Sequence, residues 1–267
     1  MINMIRILVI IFLVFTAICI FFCIEAYVRY KRKIGIDEDK DYHQKYQYFG
    51  QTIYDKSNHP TGYELLLREY SAQDNKWQLP YGVENFPLNR AAEAIEAQAK
   101  LFDNSIKMLA INMTVSQLLD YRSENFLNWV QGIVPDKLIV VELDARDVLQ
   151  SNWWKKRRLI QILKILDRKY TDIEISIEGV DSSTFCYKKI DMFLPLISDI
   201  KFDAAAFNKS ENHWIDVTLG QWKQKLKKYD LNIVLGKVET QNQDDLAKQL
   251  KIDYRQGYLY QKPTQIE

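Results

Sequence analysis

Cysteine is nearly absent, with three in 267 residues: Cys19 and Cys23 share one apolar segment and Cys186 lies far from both. That leaves no basis for a disulfide framework or a cysteine-rich zinc centre. Histidine is as scarce, and His43, His59 and His213 match no metal-ligand spacing, so they read as surface residues. An excess of either charge is missing too. Lys and Arg number 36 against 35 Asp and Glu, for a net charge of +1, which gives no support for bulk nucleic-acid binding. No low-complexity block interrupts the chain. What remains is ordinary globular composition, 47% hydrophobic and 27% charged, with ample material for a core.

The N-terminus departs from that average. Residues 7–24, "ILVIIFLVFTAICIFFCI", carry no charge and are bounded by Arg6 and Glu25. A helix of about 18–20 apolar residues can cross a bilayer core. A signal peptide is the competing reading, but no small-residue cleavage site precedes "EAYVRYKRK". An uncleaved anchor over 1–26 is the expectation, with Cys19 and Cys23 as small apolar residues within it. Arg29, Lys31, Arg32 and Lys33 follow the segment while only Arg6 precedes it. The positive-inside bias therefore predicts a single-pass membrane protein with its C-terminal bulk in the cytoplasm. Residues 27–45, charged and rich in tyrosine, read as a juxtamembrane linker.

From residue 46 to 267, strand-like and helix-like segments alternate. "YFGQTIY", "GYELLLR", "KMLAINMT", "KLIVVELD", "IEISIE", "ISDIKFD", "NIVLGKVE" and "YRQGYLY" read as strands. Between them "NFPLNRAAEAIEAQAKLF", "SQLLDYRSENFLNWVQG", "WWKKRRLIQILKILDRKY", "FCYKKIDMFLPL", "WIDVTLGQWKQKLKKYD" and "NQDDLAKQLK" read as helices. Repeated units of this kind predict an α/β fold, a (βα)8 TIM-type barrel preceded by one transmembrane helix. An open doubly wound sheet is the alternative.

One strand raises a chemical question. In "TGYELLLREY", Glu64, Leu66 and Arg68 share one face while Tyr63, Leu65 and Leu67 share the other. The second set suits a core; the first places two charges where a buried strand would carry Val or Ile. Polar residues also end the other strands: Asn112, Glu142 and Asp144, Glu178, Lys201 and Asp203, Glu239, and Gln256. In a barrel these converge on one mouth. Carboxylates with an amide oxygen suit Mg²⁺ or Mn²⁺, and Arg and Lys suit phosphate, which suggests a phosphate-ester site.

At these residues the chain resembles the EAL domain, the cyclic di-GMP phosphodiesterase family, over essentially the whole of 46–267. "FGQTIYD" is similar to the family's opening Gln-Pro-Ile-Tyr-Asp strand, with Thr52 at the proline. "GYELLLR" is similar to the signature strand, with Leu65 for alanine. "INMTVSQL", "VVELDARD", "ISDIKFD", "VETQNQ" and "DYRQGYLYQKP" follow in the family's order. The resemblance implies a barrel with a modified first strand. It further implies metal ligands at Glu64, Asn112 and Glu142. Cyclic di-GMP contacts are implied at Gln51, Leu66, Arg68, Asp203 and Gln256, with Lys201 matching a lysine beside the attacking water in active members.

The chain also departs from the family. Where active members carry paired aspartates in an Asp-Asp-Phe-Gly loop, it has Glu178 and then Gly179, Val180 and Asp181. Gly236 followed by Lys237 replaces a further glutamate, and Ala145 replaces a glutamate that steadies the aspartate loop. Two lost carboxylates and an added lysine oppose the binding of paired divalent ions. The resemblance thus implies a degenerate EAL domain with little or no phosphodiesterase activity, vestigial metal ligands and no bound Mg²⁺ or Mn²⁺. Asp144 or Asp181 could enter a vacancy only through a rebuilt loop.

Such a domain is expected to act as a membrane-anchored cyclic di-GMP receptor that signals to a membrane protein partner, for example exopolysaccharide-synthesis machinery. The alternatives are a protein-interaction module that binds no nucleotide and a residual phosphodiesterase. Family habit implies a homodimer through the loop after the aspartate pair, which is altered here. The retained polar residues have a plainer explanation. Glu64, Glu142 and Lys201 could form an ion-paired network closing the mouth, with Arg68 paired to a carboxylate. Gly257 could serve only to turn its strand. Trp153-Trp154 beside Lys155, Lys156, Arg157 and Arg158 invites a nucleic-acid or membrane reading, although a helix with a wet basic face accounts for it.

Overall fold

The computed structural model describes residues 2–32, 45–208 and 214–266. His43, His213 and residues 33–44 of the expected linker lie outside the described residues, while residues 27–32 of it continue the first helix. Helix α1 (Ile2–Arg32) contains a 23-residue apolar stretch, Ile5–Tyr27, with none of it buried. At 1.5 Å per residue that stretch is about 35 Å long, enough to cross a hydrocarbon core of about 30 Å.

The strands are β1 (Tyr46–Asp55), β2 (Pro60–Ser71), β3 (Lys76–Gln78), β4 (Met108–Met113), β5 (Leu138–Asp144), β6 (Ile173–Val180), β7 (Asp199–Asp203), β8 (Asn232–Gly236), β9 (Tyr254–Arg255) and β10 (Thr264–Gln265). Eight of them close a ring in the order β1-β2-β4-β5-β6-β7-β8-β9, leaving β3 and β10 as short rim additions. Every pairing from β2 round to β9 is parallel, while β1 runs antiparallel to both its neighbours. This is the expected barrel with a modified first strand, and the closed ring rules out the open doubly wound sheet.

The helices are α2 (Leu88–Gln98), α3 (Val115–Leu118), α4 (Ser123–Ile133), α5 (Ala145–Gln150), α6 (Trp153–Lys169), α7 (Thr184–Lys189), α8 (Leu219–Leu226) and α9 (Gln241–Gln249). Three start with a Thr-x-x-Gln capping box, at Thr114/Gln117, Thr218/Gln221 and Thr240/Gln243, each satisfying end N–H groups for about 1 kcal/mol. The main core lies between strands and helices, with Leu109, Ile139, Ile177, Phe202 and Trp222 fully buried.

Three expected elements differ. The helix read over residues 116–132 is two helices, because the turn between them binds Arg122 to Asp120 through backbone and side chain. The helix expected from Trp214 begins only at Leu219, where Thr218 caps it. The closing "YRQGYLY" contributes just Tyr254 and Arg255 to the barrel. Gly257 is required by close approach: a Cβ there would lie 2.1 Å from the Val238 carbonyl oxygen. Arg255, buried, fastens this last strand by donating to Asp244 Oδ1 at 2.8 Å and to the Asp55 carbonyl at 3.0 Å.

Candidate functional site

Strand alternation decides which side chains enter the barrel. On β2, Leu65 and Leu67 are buried in the core, while Glu64 and Arg68 line the mouth. The centre of the mouth is the Lys201 ammonium, supplied by β7. It donates to Glu64 Oε2 at 2.8 Å and to Glu142 Oε1 and Oε2 at 2.9 and 3.0 Å, and lies 3.6 Å from Glu178 Oε2. Asn112 Nδ2 donates to Glu64 Oε1 at 2.8 Å. Gln256 Nε2 donates to Glu64 Oε2 at 2.7 Å and to Gln51 Oε1 at 3.1 Å. The ion-paired network is therefore present and joins the signature glutamate to five other strands.

One buried ammonium among three carboxylates cannot neutralise them all. Burial and the three glutamates act oppositely on Lys201, and the glutamates win, holding the lysine charged far above neutral pH. Burial would raise Glu64, but Lys201 and the hydrogen bonds from Asn112 and Gln256 outweigh it and hold that carboxyl below its ordinary range. Glu142 goes the other way: burial pushes it well up, and Glu64 and Glu178 add to the push against Lys201. Glu178 is raised chiefly by burial. The mouth thus shifts one glutamate down and two up.

Above this network lie two adjoining hollows, of about 430 and 260 Å³. Glu64, Leu66, Arg68, Glu178, Lys201 and Lys237 line both. Gln51 and Gln256 belong to the smaller, Asn112 and Asp203 to the larger. The structure thus gathers every residue expected to contact a cyclic dinucleotide around these two hollows. Glu142 is the exception among the metal-ligand candidates, lying beneath the network and lining neither. The sequence reading missed the apolar side of the larger hollow, built by Leu79, Val83, Phe86, Leu88 and Phe126. Leu79 and Val83 follow a hairpin with no strong sequence signature, so nothing in the pattern announced them.

Arg68 has no carboxylate within ion-pairing distance among the described residues, against the pairing that a purely structural network would supply. It donates to the Leu67 carbonyl at 2.9 Å and stands 5.8 Å over the Phe49 ring. Asp203, by contrast, is engaged: Lys237 Nζ lies 2.8 Å from its Oδ2. Buried Gln256 keeps Oε1 without a hydrogen-bond partner among the described residues.

A divalent metal can be tested against these donors. Glu64, Glu142 and Glu178 have ligand oxygens within 4.8 Å of one another, which fits one hard cation in place of the ammonium. Among the described residues no second group of three such side chains comes together. Gly179 and Gly236 bring no donor, and a Cβ at position 236 would lie 3.2 Å from Lys201 Cε. Gly179 adopts φ +64°, a left-handed conformation that favours glycine. Asp144 is committed through Oδ1 to the N–H groups of Arg146 and Asp147, capping α5, and Asp181 to Ser183. Asp144 Oδ2, however, lies 3.4 Å from where a Cβ of Gly179 would stand, and Asp144 lines the larger hollow. Ala145 is buried in the core.

Fold and site together define a TIM-type barrel whose mouth pairs a buried carboxylate cluster with cationic side chains. A sequence model of the EAL domain matches residues 47–263. The chain belongs to the EAL domain family. Among solved structures it is similar to the FimX EAL domain from Pseudomonas aeruginosa bound to cyclic di-GMP, at 18% identity and a TM-score of 0.63, covering 83% of this chain and 91% of that one. It is also similar to the PaMucR phosphodiesterase in complex with cyclic di-GMP, at 17% identity and a TM-score of 0.65, covering 83% and 93%. A third is the Bacillus subtilis YkuI protein with an EAL domain, in complex with cyclic di-GMP and calcium, at 16% identity and a TM-score of 0.64, covering 84% and 57%. No curated protein matches the chain.

Proposed function

We propose that this chain is a membrane-anchored, catalytically silent EAL domain that binds cyclic di-GMP without metal and passes its occupancy to a membrane partner. The observation that carries the reading is the contrast at the mouth between a carboxylate cluster short of donors and an arginine with no carboxylate in ion-pairing range among the described residues. Two-metal hydrolysis needs hard oxygen ligands around both ions, and the positions of Gly179 and Gly236 offer none. Phosphate recognition needs a guanidinium in a sheltered hollow, and Arg68 meets that need with no ion to help it. Two hollows sharing Leu66 and Arg68 suit a ligand with two similar halves, and the spare Oε1 of Gln256 suits a guanine N–H. The apolar run of α1 supports the anchor, and the excess of Arg and Lys after it supports a cytoplasmic domain.

A second reading is a protein-interaction module that binds no nucleotide. The contact that favours it is Lys237 on Asp203, which engages one of the six candidate residues. Calorimetric titration of the full chain in nanodiscs with cyclic di-GMP, with and without Mg²⁺, separates the readings. Equal binding in both conditions, weakened about tenfold or more by Arg68→Ala, is expected for the receptor. A flat titration favours the interaction module. Metal-dependent release of linear dinucleotide would establish a phosphodiesterase instead.

A further inference from the structure

The geometry points to a second membrane contact: the outward face of α6 docks on an anionic phospholipid surface, that of the bilayer which α1 is proposed to span. The inference rests on that anchoring. Between Trp153 and Lys169 the helix carries seven Lys and Arg residues against one Asp, in a chain whose total charge is +1. Its inner face is the expected apolar stripe, with Leu159, Leu163 and Leu166 buried. The outer face is not simply wet and basic. Trp153, Trp154 and Ile165 are 59%, 72% and 57% exposed, interleaved with the exposed Arg157, Arg158, Lys164 and Arg168. Two tryptophans beside basic residues are the side chains that favour the headgroup level of a bilayer.

The pair is held in place rather than trailing. The rings of Trp153 and Trp154 meet edge to face at 4.5 Å, and the Arg157 guanidinium lies 5.5 Å over Trp153. Asn152 caps the helix, and Lys155 reaches the Ser116 hydroxyl at 3.2 Å. Acidic neighbours of this end are engaged elsewhere. Asp144 caps α5, Asp147 accepts from the Val115 N–H, and Asp120 pairs with Arg122. Even with these three acids counted against them, the seven cations of α6 leave an excess of positive charge.

Topology places this patch where a membrane can reach it. Tyr46 pairs with Glu69 near the end of β2, so the chain arrives from α1 at the mouth of the barrel. Helix α6 lies between the mouth end of β5 and the start of β6, which puts its first turn at the mouth too. Residues 33–45, which join α1 to β1, can bridge no more than about 45 Å. A basic aromatic patch on the tethered end of the barrel is held close to anionic headgroups, and a Lys or Arg there attracts the surface within a Debye length.

The full chain reconstituted in vesicles tests this, because α1 contains no tryptophan and all tryptophan emission comes from the domain. Vesicles of phosphatidylcholine, with or without phosphatidylglycerol, carry bromine high on their acyl chains to quench tryptophan. Strong quenching is expected only with phosphatidylglycerol, and it disappears in Trp153→Ala/Trp154→Ala. Arg157→Ala and Arg158→Ala each lower the docked fraction relative to the undocked about fivefold. Circular dichroism checks that each variant is folded. Quenching that is equal in wild type and the double tryptophan variant, or absent from protein firmly embedded in the vesicles, overturns the docking face. Emission shifts caused by an oligonucleotide but not by vesicles overturn it in favour of nucleic acid. Protein released from vesicles by alkaline carbonate shows instead that the anchoring itself has failed, and this inference fails with it.

Discussion

Two residues apart on β7, Lys201 and Asp199 both point into the barrel, and they sit in opposite electrostatic settings. Lys201 stands among three glutamates at the mouth. Asp199, 3% exposed at the closed end, has Glu174 and Asp253 as its charged neighbours and one oxygen without a hydrogen-bond partner among the described residues. Burial, followed by Glu174, pushes the Asp199 carboxyl up to about 7. Burial alone therefore does not decide the state of a carboxyl in this barrel. Glu64 is as enclosed as Asp199 and stays ionised because an ammonium and two amide donors face it. No ammonium pairs with Asp199 among the described residues, and that carboxyl retains a proton towards neutral pH.

Removing the cation from the mouth should erase that difference, and this is the largest effect expected. Lys201→Met keeps the length of the side chain but leaves three glutamates facing one another. Deleting one partner of a buried ion pair costs about 3–5 kcal/mol. The denaturant midpoint of the full chain in detergent should fall accordingly. Millimolar Mn²⁺ should recover part of the loss in the variant and none in wild type, since the emptied cluster fits one cation. Equal midpoints for variant and wild type would show that the glutamates accept protons freely enough to make the lysine dispensable.

The closed end predicts a pH dependence whose sign is fixed. The folded-state pKa of Asp199 lies above its unfolded value near 3.8, so folding takes up a proton between about pH 4 and 7. The stabilisation is complete below the unfolded pKa and is lost as pH rises through 7. At 1.36 kcal/mol per pH unit it amounts to at most about 4 kcal/mol, with coupling to Glu174 spreading the change over a wider range. Thermal unfolding of the wild type should show this decline, and Asp199→Asn should flatten it. A variant that keeps the full slope would place the titration on another group.

How far these two ends were legible in the sequence follows from the same physics. Period-two alternation on β2 was enough to set Glu64 and Arg68 on one face, and polar strand ends were enough to predict a shared mouth. The departures at Gly179 and Gly236 were visible as residue types, but their surroundings were not. Only coordinates show that Lys201 packs against position 236, and that Asp144 is tied to a helix end. The closed end was missed altogether. Asp199 opens "DIKFD", where an acidic residue reads as a solvated strand start, and its burial arises from β6 and β8 on either side. The split of the helix over 116–132 was hidden because its apolar spacing continues across the break. Long-range closure, not local pattern, decides each of these.

The smallest expected effect concerns the rim, where exposure reverses the energetics of the buried network. Lys237 is 71% exposed and meets Asp203 at 2.8 Å, in the left-handed backbone conformation at φ +54°. Exposed pairs of this kind contribute less than about 1 kcal/mol, so Lys237→Ala should leave the unfolding midpoint nearly unchanged, in contrast to Lys201→Met. Its consequence should appear in ligand affinity. If Asp203 contacts a guanine, releasing it from Lys237 should strengthen cyclic di-GMP binding a few-fold at low salt, and added salt should narrow the gap between variant and wild type, because screening loosens the same pair. If Lys237 itself meets a phosphate, the variant should bind more weakly and the gap should also shrink with salt. The direction of the change, read by titration in nanodiscs, tells which partner of the rim pair faces the nucleotide.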